Sequence, residues 1–274
     1  MLSFPHAKIN IGLYVVNKRP DGYHDLETVF FPIPLQDVLE TKPLMHSNKP
    51  YMLQTVGVPI GDDADNLVVR VYLDMKKEFQ LPALDIYLQK RIPMGAGLGG
   101  GSSDAAYMMK SLNDDFNLGL TLEEMERRVS RYGADCAFFI REYPAFAVGI
   151  GDQLTPYPLS LKDLTLVLVK PPVSVSTKEA YGGVTPRRPQ YDLRESLKRP
   201  IEEWKHYVFN DFEESVFLAH PEIAAIKQTL YDMGALYASM SGSGSTVFGI
   251  FKHPADEVQN VFKDCFVFRQ HLRL

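Results

Sequence analysis

Between residues 93 and 106 the chain reads PMGAGLGGGSSDAA, with five glycines in the seven positions from Gly95 to Gly101. Glycine gives up more backbone freedom on folding than any other residue, so such a run inside a folded chain needs a reason. The flanks supply one. Residues 84–92 (LDIYLQKRI) alternate apolar and polar side chains, as a half-buried strand does. After the glycines, Ala105, Met108, Met109 and Leu112 recur at helical spacing, with Ser102 or Ser103 as a natural N-cap. Strand, bare-backbone turn and helix start, in that order, make an anion cradle. Backbone N–H groups converge without side chains in the way, and the helix dipole adds positive field. A mobile linker is the bland alternative, but linkers are seldom bounded by regular elements on both sides.

Two familiar phosphate loops fit poorly. GxxxxGK[ST] fails because no lysine follows these glycines. GxGxxG matches formally at Gly95, Gly97 and Gly100, but its second strand and acidic residue are missing. That region reads NDDFNLGLTLEEM, a turn and then a helix, so a dinucleotide-dependent dehydrogenase is a distant reading.

The rest of the chain mixes strand and helix signals. Residues 9–16 and 26–33 read as strands on either side of the Pro20-Asp21-Gly22 turn, the second with a proline at its end. Thr121 and Glu124 form a capping-box pattern, with Leu122, Met125, Val129 and Tyr132 as the apolar stripe and Gly133 as the stop. A turn-rich stretch, GIGDQLTPYP, precedes an apolar strand at 164–169. A Gly/Pro/Arg-rich stretch follows at 182–190. A later helix carries Ile223, Ile226, Leu230 and Met233 and ends at Gly234. ALYASMSGSGSTVFGIF then reads as two strands around a glycine-serine turn. We place a domain boundary near the turn-rich stretch, giving domains 1–155 and 156–274.

The chain has 274 residues, of which 45% are hydrophobic, enough for a sizeable core. A net charge of -5 argues against a nucleic-acid partner, while 29 Lys and Arg leave room for a local phosphate site. Cys136 and Cys265 have no CxxC spacing, and no apolar run approaches a membrane span. The expectation is a cytoplasmic protein with a small-molecule partner, no nucleic acid and no membrane, as a monomer or weak homodimer.

PMGAGLGGGSSDAA resembles the phosphate-binding motif of the GHMP kinases, and PHAKINIGLYV and SMSGSGSTVFGIF resemble that superfamily's other motifs. RPDGYHDLETVF, YGADCAFFI, AFAVGIGDQLTP and FNDFE extend the resemblance, in family order, over most of the chain. They narrow it to the branch whose acceptor is a cytidine-nucleotide intermediate of the non-mevalonate isoprenoid pathway. The resemblance implies an α+β, two-domain GHMP kinase fold with the active site in the interdomain cleft. It also implies transfer of the ATP γ-phosphoryl group to the acceptor's 2-hydroxyl, with Mg²⁺ accompanying the nucleotide.

By resemblance, Lys8 and Asp135 are the catalytic pair, the cation at the transferring phosphate and the carboxylate that orients the acceptor hydroxyl. Alone, Lys8 would read as a solvated charge and Asp135 as an N-cap; only their joint presence with the glycine loop favours catalysis. Gly95, Ala96, Gly97, Leu98, Gly99, Gly100, Gly101, Ser102 and Ser103 would hold the phosphates, with Pro93 and Met94 as further nucleotide-binding residues. Asn66 and Lys90 would line the adenine side, although Lys90 also reads as a solvated strand residue. Asn10, Tyr23 and His24 are assigned to the cytidine-bearing substrate, with Thr177 and Tyr181 as further pocket residues. Aromatic stacking on a base supplies ~1–3 kcal/mol. Gly242 and Gly244 would let the C-terminal loop approach the glycine loop, or form a plain hairpin turn. Asp104 would favour the helix dipole, and no carboxylate cluster declares a metal site. Ala96 stands where the family often has glycine, and Asp104 and Cys136 occupy variable positions. The rival functions are a mevalonate- or homoserine-type kinase, disfavoured by Tyr23 and His24, and a non-catalytic nucleotide-binding regulator, disfavoured by Lys8 and Asp135.

Overall fold

The strand His6–Lys18 is buried over its first ten residues, which is why it reads as an almost unbroken apolar run. His6, Lys8 and Asn10 are the polar exceptions in it. The computed structural model describes residues 1–45, 48–59 and 65–273. In chain order its strands are β1 (Leu2–Ser3), β2 (His6–Lys18), β3 (His24–Gln36), β4 (Val38–Pro43), β5 (Tyr51–Gly57) and β6 (Leu84–Lys90). Then come β7 (Ala145–Val148), β8 (Gln153–Pro156), β9 (Thr165–Lys170), β10 (Tyr237–Met240), β11 (Val247–Phe251) and β12 (Phe266–His271). The helices are α1 (Leu67–Phe79), α2 (Gly100–Asp115), α3 (Leu122–Val129), α4 (Phe138–Arg141), α5 (Thr177–Gly183), α6 (Leu193–Ser196), α7 (Phe212–Ala219), α8 (Pro221–Asp232) and α9 (Val258–Val261).

The chain forms two units, neither of them contiguous. One contains Met1–Lys8, Pro32–Met94 and Gly99–Glu142; the other contains Ile9–Phe31, Gly95–Leu98 and Tyr143–Leu274.

The first unit is built on a sheet of order β1-β4-β6-β5, with β6 antiparallel to β4 and parallel to β5. Period-two alternation in β6 turns Leu84, Ile86, Leu88 and Lys90 inward. Helices α1 and α2 pack on each other. Sequence periodicity leaves α1 unassigned, because Val68, Val69 and Val71 are β-branched and blur helix with strand. Asn66 starts α1 by accepting the Val68 N–H, and Tyr72 and Met75 complete its buried face. Helix α2 starts earlier than expected. Its N-cap is Gly99 in the left-handed region, with no side-chain cap, so Ser102 and Ser103 lie in the first turn instead of capping it. Helix α3 has the expected capping box, but it ends at Val129. Leu122 is exposed, and Tyr132 lies beyond the helix with its hydroxyl on Asp74, so only Met125 and Val129 form the buried stripe.

The second unit has sheets of order β2-β3-β7-β8 and β10-β11-β9-β12. Strand β3 runs past its expected end through Pro32 and Pro34. Being two apart, these prolines withhold N–H groups from the same edge only, which a strand tolerates. The turn-rich stretch is the β7–β8 hairpin, whose Gly149 carbonyl accepts the Leu26 N–H at 2.7 Å. Helices α7 and α8 pack together over a core that includes Leu13, Val15, Val169, Phe212, Ile226 and Phe251. Helix α8 stops where expected, with Gly234 at φ +92°. Strands β10 and β11 flank the glycine-serine turn.

Candidate functional site

Gly95, Gly97 and Gly99 have φ of +57°, +73° and +71°, while Ala96 and Leu98 between them stay out of the left-handed region. Backbone that changes hand at every residue turns successive N–H groups toward one concavity, a nest suited to anionic oxygens. Ala96 is therefore compatible with the loop, and its methyl is buried. Helix α2 follows at once, with no side-chain cap and no acidic residue in its first turn. Its opening N–H groups thus carry no side-chain cap, and the dipole there favours negative charge. Ser103 Oγ, in the first turns, is buried without a hydrogen-bond partner. Pro93 and Met94 lead into the loop, Met94 being exposed.

Beside the start of α2, in the first unit, the Lys8 ammonium lies 3.2 Å from Asp135 Oδ2. The lysine side chain is 3% exposed and the aspartate 32%, so the carboxylate alone meets solvent. A solvated strand-start lysine is thereby excluded. Asp135 sits in the short 3-10 turn Ala134–Ala137, which has Gly133 before it and no side-chain cap, so the N-cap reading fails too. A Cβ on Gly99 would come within 2.9 Å of the Phe139 ring and 3.2 Å of Lys8 Cε. Glycine there admits the lysine stem alongside the helix start. Phe139 is backed by His6, whose ring lies 5.3 Å away.

Asn66 Oδ1 is committed to capping α1. Lys90 is not a solvated strand residue. Its ammonium is buried, bonded to Asp37 Oδ2 and, at 2.6 Å, to Asp104 Oδ2. Burial opposes its charge, yet Asp104 and Asp37 outweigh burial and hold Lys90 above the usual lysine value. Burial pushes the Asp104 carboxyl up to about 7, with Lys90 pulling it down and Asp37 adding to the rise. Asp104 is thus an ion-pair partner in the interior, where the sequence suggests only a dipole contact.

In the second unit, Asn10 is buried. Its N–H donates to Ser241 Oγ at 3.2 Å and its Nδ2 to Thr28 Oγ1 at 3.0 Å. Ser241 Oγ in turn donates to the Gly97 carbonyl at 2.9 Å. A Cβ on Gly242 would lie 3.3 Å from Asn10 Oδ1 and from Gly97 Cα, and one on Gly97 would run into the Ser241 carbonyl. The turn at 241–246 therefore does pack closely against the glycine loop and is no plain hairpin turn. His24 and Tyr181 stack with centroids 4.7 Å apart and planes at 23°, and Tyr181 meets Phe212 edge-on. Burial, then Lys18, lowers the His24 pKa and favours its neutral ring. Tyr23 is 60% exposed on the preceding turn, where its N–H is held by Asp21 Oδ1. Thr177, one helical turn before Tyr181 on α5, is exposed.

Several residues escape the sequence reading. Asn210 Nδ2 donates to the carbonyls of Met240 and Gly242 at 2.8 and 2.9 Å. Glu213 accepts from the Met240 N–H and Ser239 Oγ. FNDFE is thus the bracket that fixes the turn packed on the glycine loop. Asp37, Thr28 and His6 were likewise silent. The one usable signal was parity, since Lys90 shares the inward phase of Leu84, Ile86 and Leu88. Among the described residues no group of three or more His, Cys, Asp or Glu could hold a metal, and no helix is long and apolar enough to cross a membrane.

A family model described as the GHMP kinases N terminal domain matches residues 66–142, and one described as GHMP kinases C terminal matches 193–267. The chain is 53% identical to 4-diphosphocytidyl-2-C-methyl-D-erythritol kinase of Bacteroides fragilis, with 100% of each chain covered. It is 52% identical to the enzyme of the same name from Parabacteroides distasonis, over 99% of this chain and 100% of that one. A crystal structure of 4-(cytidine 5'-diphospho)-2C-methyl-D-erythritol kinase matches with a TM-score of 0.81 at 30% identity, covering 98% of each chain.

Proposed function

We infer the chemistry from one premise: the chain belongs to the GHMP kinases and, within them, to the 4-diphosphocytidyl-2-C-methyl-D-erythritol kinase family. It is an ATP-dependent small-molecule kinase. It transfers the γ-phosphoryl group of ATP to the 2-hydroxyl of 4-diphosphocytidyl-2-C-methyl-D-erythritol, a step of the non-mevalonate route to isoprenoid precursors. The observation that carries the reading is full-length identity of 53% to a relative of that name, in a chain that keeps Lys8 paired with Asp135.

Phosphoryl transfer needs a held triphosphate, neutralised charge and an oriented hydroxyl. In our reading the backbone of Gly95–Gly101 and the start of α2, with Ser102 and Ser103, hold the phosphate oxygens, while Pro93 and Met94 wall the entry. Asn66 and Lys90 belong to the nucleotide side. Asp135 orients the acceptor hydroxyl and accepts its proton as the new O–P bond forms and the bond to the leaving ADP oxygen breaks. Lys8, paired with Asp135, offsets the negative charge on the transferring group. The stacked His24 and Tyr181 present an aromatic face and a neutral ring nitrogen for cytosine, with the exposed Tyr23 as a second π surface and Asn10 and Thr177 as polar neighbours.

A magnesium ion accompanying the nucleotide would supply positive charge against the phosphate oxygens. The residues fit this. Ser103 Oγ is a buried hard oxygen with no hydrogen-bond partner, so it is the group on this chain that would hold the ion.

An ADP-release assay with each acceptor in turn tests the assignment. Turnover is expected with the cytidyl substrate and none above background with mevalonate or homoserine. Turnover of mevalonate alone would overturn the acceptor assignment, and no turnover of any acceptor would favour the regulator.

A further inference from the structure

Lys90, Asp37 and Asp104 form a charged cluster with side chains 1%, 0% and 4% exposed. Asp37 Oδ2 takes the Lys90 ammonium, and its Oδ1 accepts the backbone N–H groups of Arg91 at 2.5 Å and Ile92 at 2.9 Å. One carboxylate thus holds both the side chain and the outgoing backbone at the end of β6. Asp104 holds the same ammonium from within α2. The two elements also touch directly, because a Cβ on Gly100 would lie 2.9 Å from Ile92 Cγ2 and 3.4 Å from Lys90 Nζ. The first residue of α2 therefore rests on the end of β6, and the shared ammonium fastens the contact.

We propose that Asp37, Lys90 and Asp104 are positioning residues for the nucleotide. Their buried ion cluster ties the end of β6 to the first turns of α2 and so sets where the uncapped N–H groups of that helix are presented, without Lys90 touching the nucleotide. The proposal rests on reading residues 93–103 as the phosphate site. A lysine that left this cluster to reach a base would strand two carboxylates in the interior, which is strongly unfavourable. Two of its three ammonium hydrogens are already spent on Asp37 and Asp104.

Steady-state kinetics with the cytidyl acceptor, on full-length protein checked by circular dichroism, tests this through Asp104→Asn and Lys90→Met. Each is expected to raise KM for ATP about tenfold, leave the acceptor KM within about twofold, and leave the ratio of kcat/KM for ATP over GTP unchanged. A ratio that moves in Lys90→Met but not in Asp104→Asn would mean that Lys90 reads the base, and the proposal falls. It falls as well if both variants keep the wild-type KM for ATP. Should either single variant not fold, Lys90→Met/Asp104→Leu removes one charge of each sign and leaves Asp37 its two N–H partners. The same rise in KM at a constant ratio is required of it. A wild-type enzyme that turns over no acceptor would instead count against the proposed function.

Discussion

At the scale of single residues, the site depends on polar side chains buried beside specific partners. In the proposed mechanism Lys8→Ala removes the cation and Asp135→Ala the carboxylate set against the acceptor hydroxyl, so each is expected to lower kcat by about 10²–10⁴-fold. Thermal melts should show both variants folded. Near-normal turnover in either would remove that residue from the mechanism. His6 makes a different prediction. Its Nδ1 donates to the Ala7 carbonyl at 2.8 Å, and its Nε2 is buried without a partner among Tyr107, Phe138 and Phe139. Burial lowers its pKa below the ordinary 6.5, the Ala7 bond and Glu142 working the other way and Lys110 adding to the drop. Below pH 6.5 the unfolded chain therefore binds a proton that the folded ring resists. The stability present above that pH is lost as pH falls through the lowered value. Between pH 7.5 and 5.5 the melting temperature of the wild type should drop more steeply than that of His6→Phe; parallel curves would refute this account.

At the scale of elements, the glycine segment combines two requirements that one comparison separates. Gly95 and Gly97 both have positive φ, but a Cβ on Gly95 meets nothing within 4 Å, whereas on Gly97 it strikes the Ser241 backbone. Gly95→Ala should cost only the left-handed strain, about 1–2 kcal/mol. Gly97→Ala should lose more than that in a denaturant melt, because backbone cannot move aside as a flexible side chain can. Equal losses would mean that the 241–246 turn yields freely. That turn is held by Asn210 and Glu213, so its rigidity is borrowed from α7 and the residues before it. The capping box of α3 and the alternation of β6 were legible from local pattern, since both depend on neighbours within four residues. The start of α2 was not, because a serine near a helix start is an ordinary cap. Here the cap is a left-handed glycine, and the N–H groups stay uncapped.

At the scale of the whole molecule, the second unit draws its strands from far-apart stretches of chain. The Leu13 N–H donates to Phe209, the Asp211 N–H to Leu13, and the Val15 N–H to Asp211 Oδ2, each at 2.8 Å. A fragment of residues 156–274 lacks β2 and leaves Asp211 and Phe209 without these partners. It is expected to show collapsed amide dispersion by NMR, and a well-dispersed spectrum would show that β2 is dispensable. The sequence alone was enough to specify the strand, glycine turn and helix, the inward phase of β6 and the family motifs. These rest on backbone conformation and on repeats of two or 3.6 residues, which adjacent residues determine. Which charges end up buried, and against whom, was settled only by folding. Lys8 meets Asp135, Lys90 meets Asp37 and Asp104, and Asn210 grips the turn at 240–242. A buried ion or amide is stable only with its partner in place, and a partner far along the chain leaves no periodic trace in the residues around it.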